Sequence, residues 1–241
     1  MKSTLRRHRV VSGDKWLKAR RALLVKEKKF NRLRDALSKE RRALPWVEVS
    51  KDYAFDGPKG RTTLEELFDG KSQLLTYHFM FGPDWKEGCA HCAFWAEHFD
   101  AALVHLGRRD TNLIAISRAP YAKIRAFRKR MGWGFNWVSS FRSDFNFDFH
   151  VSATPQELKR GTGFYNFKPN HFILDELPGI SAFYRDKKGR IFHTYSSFAR
   201  GLDLVNNTYN FLDLTAKGRD ENPDSPQDWV RLHDRYPRRA R

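Results

Sequence analysis

From Asp14 to Leu44 the chain has no glycine or proline, and Trp16, Leu23, Phe30, Leu37 and Leu44 fall seven residues apart. That spacing places a large apolar side chain on one side of a helix every two turns, while Lys and Arg fill the other faces. Ala19 and Leu33 begin a second column, but Lys26 and Glu40 interrupt it, so the pattern is weaker than a coiled-coil seam. Pro45 ends the helix, because the residue before a proline avoids the helical region. The stripe is expected to pack on the protein's own domain. Self-association through it, and binding of nucleic acid or a membrane surface by the basic faces, are the alternatives.

After Pro45 the pattern changes. Val47 to Phe55 alternates as a strand does, and Asp56 to Gly60 is a turn cluster. Thr63 to Gly70 reads as a short helix with a Thr63/Glu66 capping box. Ser72 to Phe81 is almost unbroken apolar sequence, as in a strand buried on both faces. Cys92, Trp95, Ala96, Phe99, Ala102, Leu103 and Leu106 then mark one helical face, which Gly107 ends. Asn112 to Ser117 is a second buried strand, Pro120 opens a helix to Met131, and Phe135 to Ser139 is a third strand. Residues 143–172, rich in Phe and Asn, give no clear assignment. Pro178 precedes a hairpin, Ile180 to Arg185 and Arg190 to Tyr195, around an Asp186-Lys-Lys-Gly189 turn. Leu202 to Leu212 is the last predicted helix. The parallel crossovers in this order require a mixed α/β sheet covered on both faces.

Charge adds one distinction. The 241 residues carry a formal net charge of +17, yet residues 1–44 alone hold 16 Lys and Arg against 4 acids, a net +12. The basicity therefore belongs to the helical extension and not to the core, where most of the 20 Phe lie. The longest apolar run, Leu74 to Phe81, contains His78 and falls far short of the roughly 20 residues of a membrane span. The basic start has no apolar segment of the kind a secretory signal carries. A soluble cytoplasmic protein is expected, with neither a membrane nor nucleic acid as partner.

Cys89 and Cys92 are the two cysteines, and they close almost no loop, so a structural disulfide would stabilise little. Their position between a strand and a helix favours chemistry instead. Cys89 lies just before the helix and Cys92 on its buried stripe, so Cys89 is expected to be the attacking thiolate and Cys92 the resolving thiol. His91 between them adds positive potential. Two other readings stand beside this one: inert buried cysteines, and a zinc site completed by His78, His91 or His98. No metal or other cofactor is expected. Phe145, Phe147 and Phe149 in the FRSDFNFDFH segment read as packing residues, with a pocket lining as the alternative. Asp144 and Asp148 have no nucleophile paired with them in sequence.

The stretch Tyr53 to Phe99, with FDGPKG, TLEELFDGK, an apolar strand and then CAHC, resembles the peroxiredoxin and thiol-reductase branch of the thioredoxin superfamily. From about Val10 to Tyr236 the chain is similar to a bacterial family of unknown function whose members are often labelled dithiol-disulfide oxidoreductases. The strings that carry this are ERRALPWV, YHFMFGPDWKEGC, HFDAALVHL, SRAPYAKI, SDFNFDFHVS, FHTYSSFARGLDL and HDRYPR. The resemblance implies a thioredoxin-like fold over residues 46–216, between a basic helical extension at 1–45 and a polar tail at 217–241. It implies a thiol-disulfide oxidoreductase that takes electrons from a donor such as thioredoxin or glutathione and acts on a disulfide or a small oxidant. Pro178 would be a cis-proline facing the dithiol and offering backbone to substrate, with a trans-proline opening an edge strand as the other reading, and Trp85 would stand near the place of the tryptophan that thioredoxins carry. Two positions depart from the pattern. Lys86 stands where peroxiredoxins have Thr or Ser, which counts against peroxide reduction, and Gly88 directly precedes Cys89 where thioredoxins have Trp. A non-catalytic binding protein using the basic helix, and a peroxide reductase, remain the alternatives.

Overall fold

The computed structural model describes residues 8–171 and 174–237; the first seven residues of the predicted extension and the last four of the predicted tail lie outside them. Helix α1 (Gly13–Ala43) runs for 31 residues, as the heptad spacing predicts, but none of them is buried. Trp16, Leu23 and Phe30 are 59%, 50% and 62% exposed, so the expectation that the stripe packs on the protein's own domain is overturned. The helix touches the domain at its last turn, where the Arg41 guanidinium lies 5.6 Å from the centre of the Tyr195 ring. Extended backbone at Leu44, before Pro45, then turns the chain away from the helix axis.

Among the described residues, ten strands and six further helices follow. The strands are β1 (Val47–Glu48), β2 (Ala54–Gly57), β3 (Gly60–Thr63), β4 (Gln73–His78) and β5 (Thr111–Ser117). They continue with β6 (Asn136–Ser139), β7 (Thr162–Tyr165), β8 (Lys168–His171), β9 (Gly179–Arg185) and β10 (Ile191–Phe198). The helices are α2 (Ala90–Ala96), α3 (Phe99–Gly107), α4 (Tyr121–Met131), α5 (Phe145–Asp148), α6 (Pro155–Arg160) and α7 (Asn207–Leu212). Eight strands form one sheet in the order β1-β10-β9-β4-β5-β6-β2-β3, and β7 and β8 form a separate hairpin. β4, β5 and β6 are parallel, and β9 runs antiparallel to β4. A strand before the dithiol helix, flanked by a parallel and an antiparallel neighbour, is the thioredoxin-like arrangement.

Several expected elements are divided. Val47 to Phe55 becomes β1 and β2, which lie near opposite ends of the sheet. Six inter-strand gaps would separate them by about 29 Å in a flat sheet. The link Val49–Tyr53 spans about 21 Å at most when extended, so the sheet curls to bring its ends together. The expected helix at Thr63 to Gly70 shrinks to a single turn, Glu66–Phe68, although its capping box is present: the Glu66 carboxylate accepts from the Thr63 N–H at 2.7 Å. The long helix after the cysteines breaks at Glu97–His98, where His98 Nε2 accepts from the Thr208 N–H at 3.3 Å. The last predicted helix is divided at Asn206, whose side chain caps α7.

Alternation along β4 divides the core. Leu75 and Tyr77 face a cluster with Cys92, Trp95, Phe99, Phe127 and Trp137. Leu74 faces a second cluster with Tyr53, Phe68, Phe145 and Phe183. Both parallel crossovers step in the same direction across the sheet, so their common handedness places α2–α3 and α4 on the same face. The segment expected as a polar tail packs on that face too. Val230 and Leu232 are buried, and Asp234 accepts two hydrogen bonds from the Arg130 guanidinium at 2.7 and 2.9 Å. A few apolar positions among many polar ones gave no period to read. Among the described residues, no helix is long and apolar enough to cross a membrane.

Candidate active site

The dithiol is held by the backbone of Met80, just past the end of β4. The Met80 carbonyl accepts from the Cys89 N–H at 3.0 Å, and the Met80 N–H donates to Cys92 Sγ at 3.4 Å. Cys89 is the N-cap of α2 and half-buried, whereas Cys92 is buried. Gly88 lets the chain enter this position, because a Cβ there would stand 2.8 Å from Phe79 and 2.9 Å from Phe127. This is the physical reason for glycine where thioredoxins carry tryptophan.

The two thiols are unequal. Cys89 is held well below the ordinary cysteine range, chiefly by a hydrogen bond from the Cys92 thiol and then by His91, against the opposing effect of burial. Cys92 is pushed well above that range by burial, with the negative charge on Cys89 adding to it. His91 is raised in turn by its hydrogen bond to the Cys89 thiolate. The structure thus places Cys89 at the helix entrance and Cys92 buried behind it, and both line one cavity with His91.

A cavity of about 370 Å³ opens in front of the sulfurs. Trp85 and Pro178 both line it, so the structure brings these two sequence candidates to the dithiol. The Trp85 indole N–H donates to Asp175 at 3.0 Å. The Pro178 peptide is trans, since the described residues contain no cis bond. The cis geometry implied by resemblance is corrected here: the Leu177 N–H bonds to the Val151 carbonyl at 2.8 Å, and the chain enters β9 extended. Two further residues escaped the sequence reading. The buried Tyr77 lines the cavity, and among the described residues its hydroxyl makes no hydrogen bond of good geometry. Tyr165 donates to the Pro178 carbonyl at 2.7 Å and accepts from the Ala199 N–H at 3.1 Å, tying two walls together. An aromatic in a strand gives a polar handle no sequence signal of its own.

Other candidates lie elsewhere. His78 faces the opposite side of the sheet and bonds to Ser181 at 2.8 Å; Ser181 continues to Ser196 at 2.8 Å and Ser196 to His193 at 2.7 Å. His98 engages Thr208, so neither of these histidines joins the sulfurs. Phe145 and Phe149 pack in the second core, and Phe147 lies under the Arg118 guanidinium, 4.4 Å from its ring centre. Asp144 and Asp148 bind Lys51 at 2.9 and 2.7 Å, with Tyr53 donating to Asp148 at 2.7 Å. Glu176 is buried between Arg118 at 2.9 Å and Ser152 at 2.8 Å, and burial lifts its carboxyl to about 7.

The model of a family described as "Bacterial protein of unknown function (DUF899)" matches residues 5–236. No curated protein matches the chain. Among solved structures the chain is similar to a peroxiredoxin Q variant from Xanthomonas campestris, at 16% identity and a TM-score of 0.44, covering 66% of this chain and 90% of that one. It is also similar to peroxidoxin BcpB from Mycobacterium tuberculosis, at 13% identity and a TM-score of 0.44, covering 68% and 94%. A mitochondrial 2-Cys peroxiredoxin from Plasmodium falciparum is similar at 11% identity and a TM-score of 0.39, covering 70% and 92%.

Proposed function

Starting from a chain that belongs to the bacterial family of unknown function DUF899, we propose that it is a thiol-disulfide oxidoreductase using Cys89 and Cys92. One observation carries this reading: Cys89 caps the α2 entrance half-buried and lines the cavity, while Cys92 is buried behind it against the Met80 N–H. Inert buried cysteines would not be arranged so unequally.

The chemistry follows in two displacements. The Cys89 thiolate attacks one sulfur of a disulfide, forms a mixed disulfide and expels the first thiolate, which takes a proton from water. Cys92 then loses its proton and attacks Cys89 Sγ, expelling the second thiolate and closing the Cys89–Cys92 disulfide. Two electrons have passed to the substrate, and an external thiol donor such as thioredoxin or glutathione returns them.

The test uses two variants. Cys89→Ser is expected to abolish disulfide reduction in a donor-coupled assay, and Cys92→Ser to accumulate a substrate-linked mixed disulfide on Cys89, seen by mass spectrometry. Turnover by Cys89→Ser, or an adduct on Cys92 in the wild-type chain, would overturn the assignment. That no residue of the basic α1 is buried supports a second reading, a binding protein that works through that helix. Salt-dependent retention on immobilised nucleic acid, lost when α1 is deleted, would favour it.

A further inference from the structure

We propose that the dithiol acts on small, largely apolar disulfides bearing an anionic group, and not on disulfides within folded proteins; this rests on the oxidoreductase reading above. The first ground is enclosure. Cys89 does not sit on an open surface: the cavity is closed on one side by Gln227 and on another by the Ala199–Leu202 turn. The Gln227 wall is not a loose flap. It is anchored by buried Val230 and Leu232, by Arg235, which binds Glu87 at 2.7 Å, and by Asp234, which accepts from Arg130 at 2.7 and 2.9 Å. The opposite wall is held by the Trp95 indole N–H, which donates to the Leu202 carbonyl at 2.7 Å. A volume of about 370 Å³ suits a ligand of drug-like size or less.

The second ground is that the backbone beside the dithiol is already occupied. A polypeptide substrate lying across Cys89 would pair with main-chain groups next to Pro178. Here the Leu177 N–H donates to Val151, and the Pro178 carbonyl accepts from Tyr165. The Ala199 N–H on the facing turn is bound to the same phenol. Docking a peptide strand would have to break these bonds before making its own.

The third ground is the polarity of what remains. The lining is mostly apolar, with Met80, Trp85 and Leu174 among its members. Two groups can orient a ligand. The buried Tyr77 hydroxyl lies beside Cys92, makes no hydrogen bond of good geometry among the described residues, and can donate to an acceptor beside the reacting sulfurs. The Arg200 guanidinium at the rim is exposed, with a 3.2 Å contact to Asp203, an acid that Arg219 also holds at 2.9 Å. A carboxylate reaching the rim meets a cation that is not fully committed, while the body of the ligand fills the apolar interior.

The experiment is a single-turnover oxidation of the reduced full-length protein, followed by loss of free thiols. Three oxidants are compared: dithiodibenzoate, the uncharged diphenyl disulfide, and insulin. With each rate divided by that of glutathione with the same oxidant, which removes the difference between aryl and alkyl leaving thiolates, dithiodibenzoate is expected to react fastest and insulin slowest, by at least about ten-fold. Arg200→Ala should slow dithiodibenzoate about five-fold, the worth of one partly exposed ion pair, leave diphenyl disulfide unchanged, and be rescued by Arg200→Lys. Insulin reacting as fast as the small disulfides would overturn the proposal and leave the oxidoreductase reading standing. An Arg200→Ala variant that slows every oxidant alike would remove the anion-binding role. Failure of all three oxidants to oxidise Cys89 would instead sink the oxidoreductase reading itself.

Discussion

At the scale of single residues, His91 and Glu176 carry the sharpest consequences. His91 lines the same cavity as Cys89, and its positive charge favours the Cys89 thiolate, a species of the reduced protein alone. Removing it destabilises the reduced form, so His91→Ala should make the dithiol more reducing by tens of millivolts, since about 30 mV is ten-fold for this two-electron couple. Equilibration with glutathione measures the shift, and no shift would mean that His91 does not act on the sulfur. Glu176 gives a signed pH dependence. Its carboxyl titrates at 4.5 when free and at about 7 in the fold, so between these values the folded state holds the extra proton. Stability contributed at this site therefore falls as pH rises from 4.5 to 7, by about 3 kcal/mol in all, the desolvation of the carboxylate outweighing its Arg118 partner. Urea unfolding should show that slope in the wild type relative to Glu176→Gln, whose amide does not titrate. Equal slopes would contradict it. The sequence made Cys89, Cys92 and His91 legible because spacing and helix pattern act locally. Tyr77, Tyr165 and Glu176 were not legible, because their roles depend on partners brought from distant strands.

Individual elements show where pattern reading succeeds and where it stops. Buried strands and amphipathic helices with one clear partner, such as β4, β5 and α4, lie close to their expected bounds. Val47 to Phe55 reads as one strand in sequence but forms two, because alternation is satisfied equally by one strand or by two short ones joined across a curl. Residues 143–172 hold α5, α6 and a two-stranded hairpin, each too short to show a period. For α1 the heptad column identified the helix but not its surroundings, since a column of apolar residues says only that something should cover it. With none of its residues buried, α1 adds little to the stability of its own domain. A chain beginning at Pro45 is therefore expected to melt within a degree or two of the full-length protein and to keep its thiol reactivity, the size of effect seen for groups outside the core. A large drop in melting temperature would mean that the stripe is covered in solution.

On the scale of the whole molecule, the sheet, the dithiol helix and the returning C-terminal segment form one unit around the sulfurs. β4 delivers Met80, the α2 entrance delivers Cys89, the extended lead into β9 delivers Pro178, and the packed segment around Gln227 closes the cavity. The order of elements, and hence the thioredoxin-like sheet, was readable because parallel crossovers permit few arrangements. The closure by residues after 217 was not, because buried Val230 and Leu232 are isolated among polar neighbours. In the proposed function these parts serve a reversible two-electron couple at Cys89 and Cys92. The most direct test is to titrate the full-length protein against glutathione redox buffers, with alkylation and mass spectrometry at each point. The account predicts a single two-electron transition to an intramolecular Cys89–Cys92 disulfide, with a midpoint between about −270 and −120 mV, the span of catalytic dithiols. Thiols that stay reduced across the titration, or a midpoint below about −300 mV, as in structural disulfides, would contradict it.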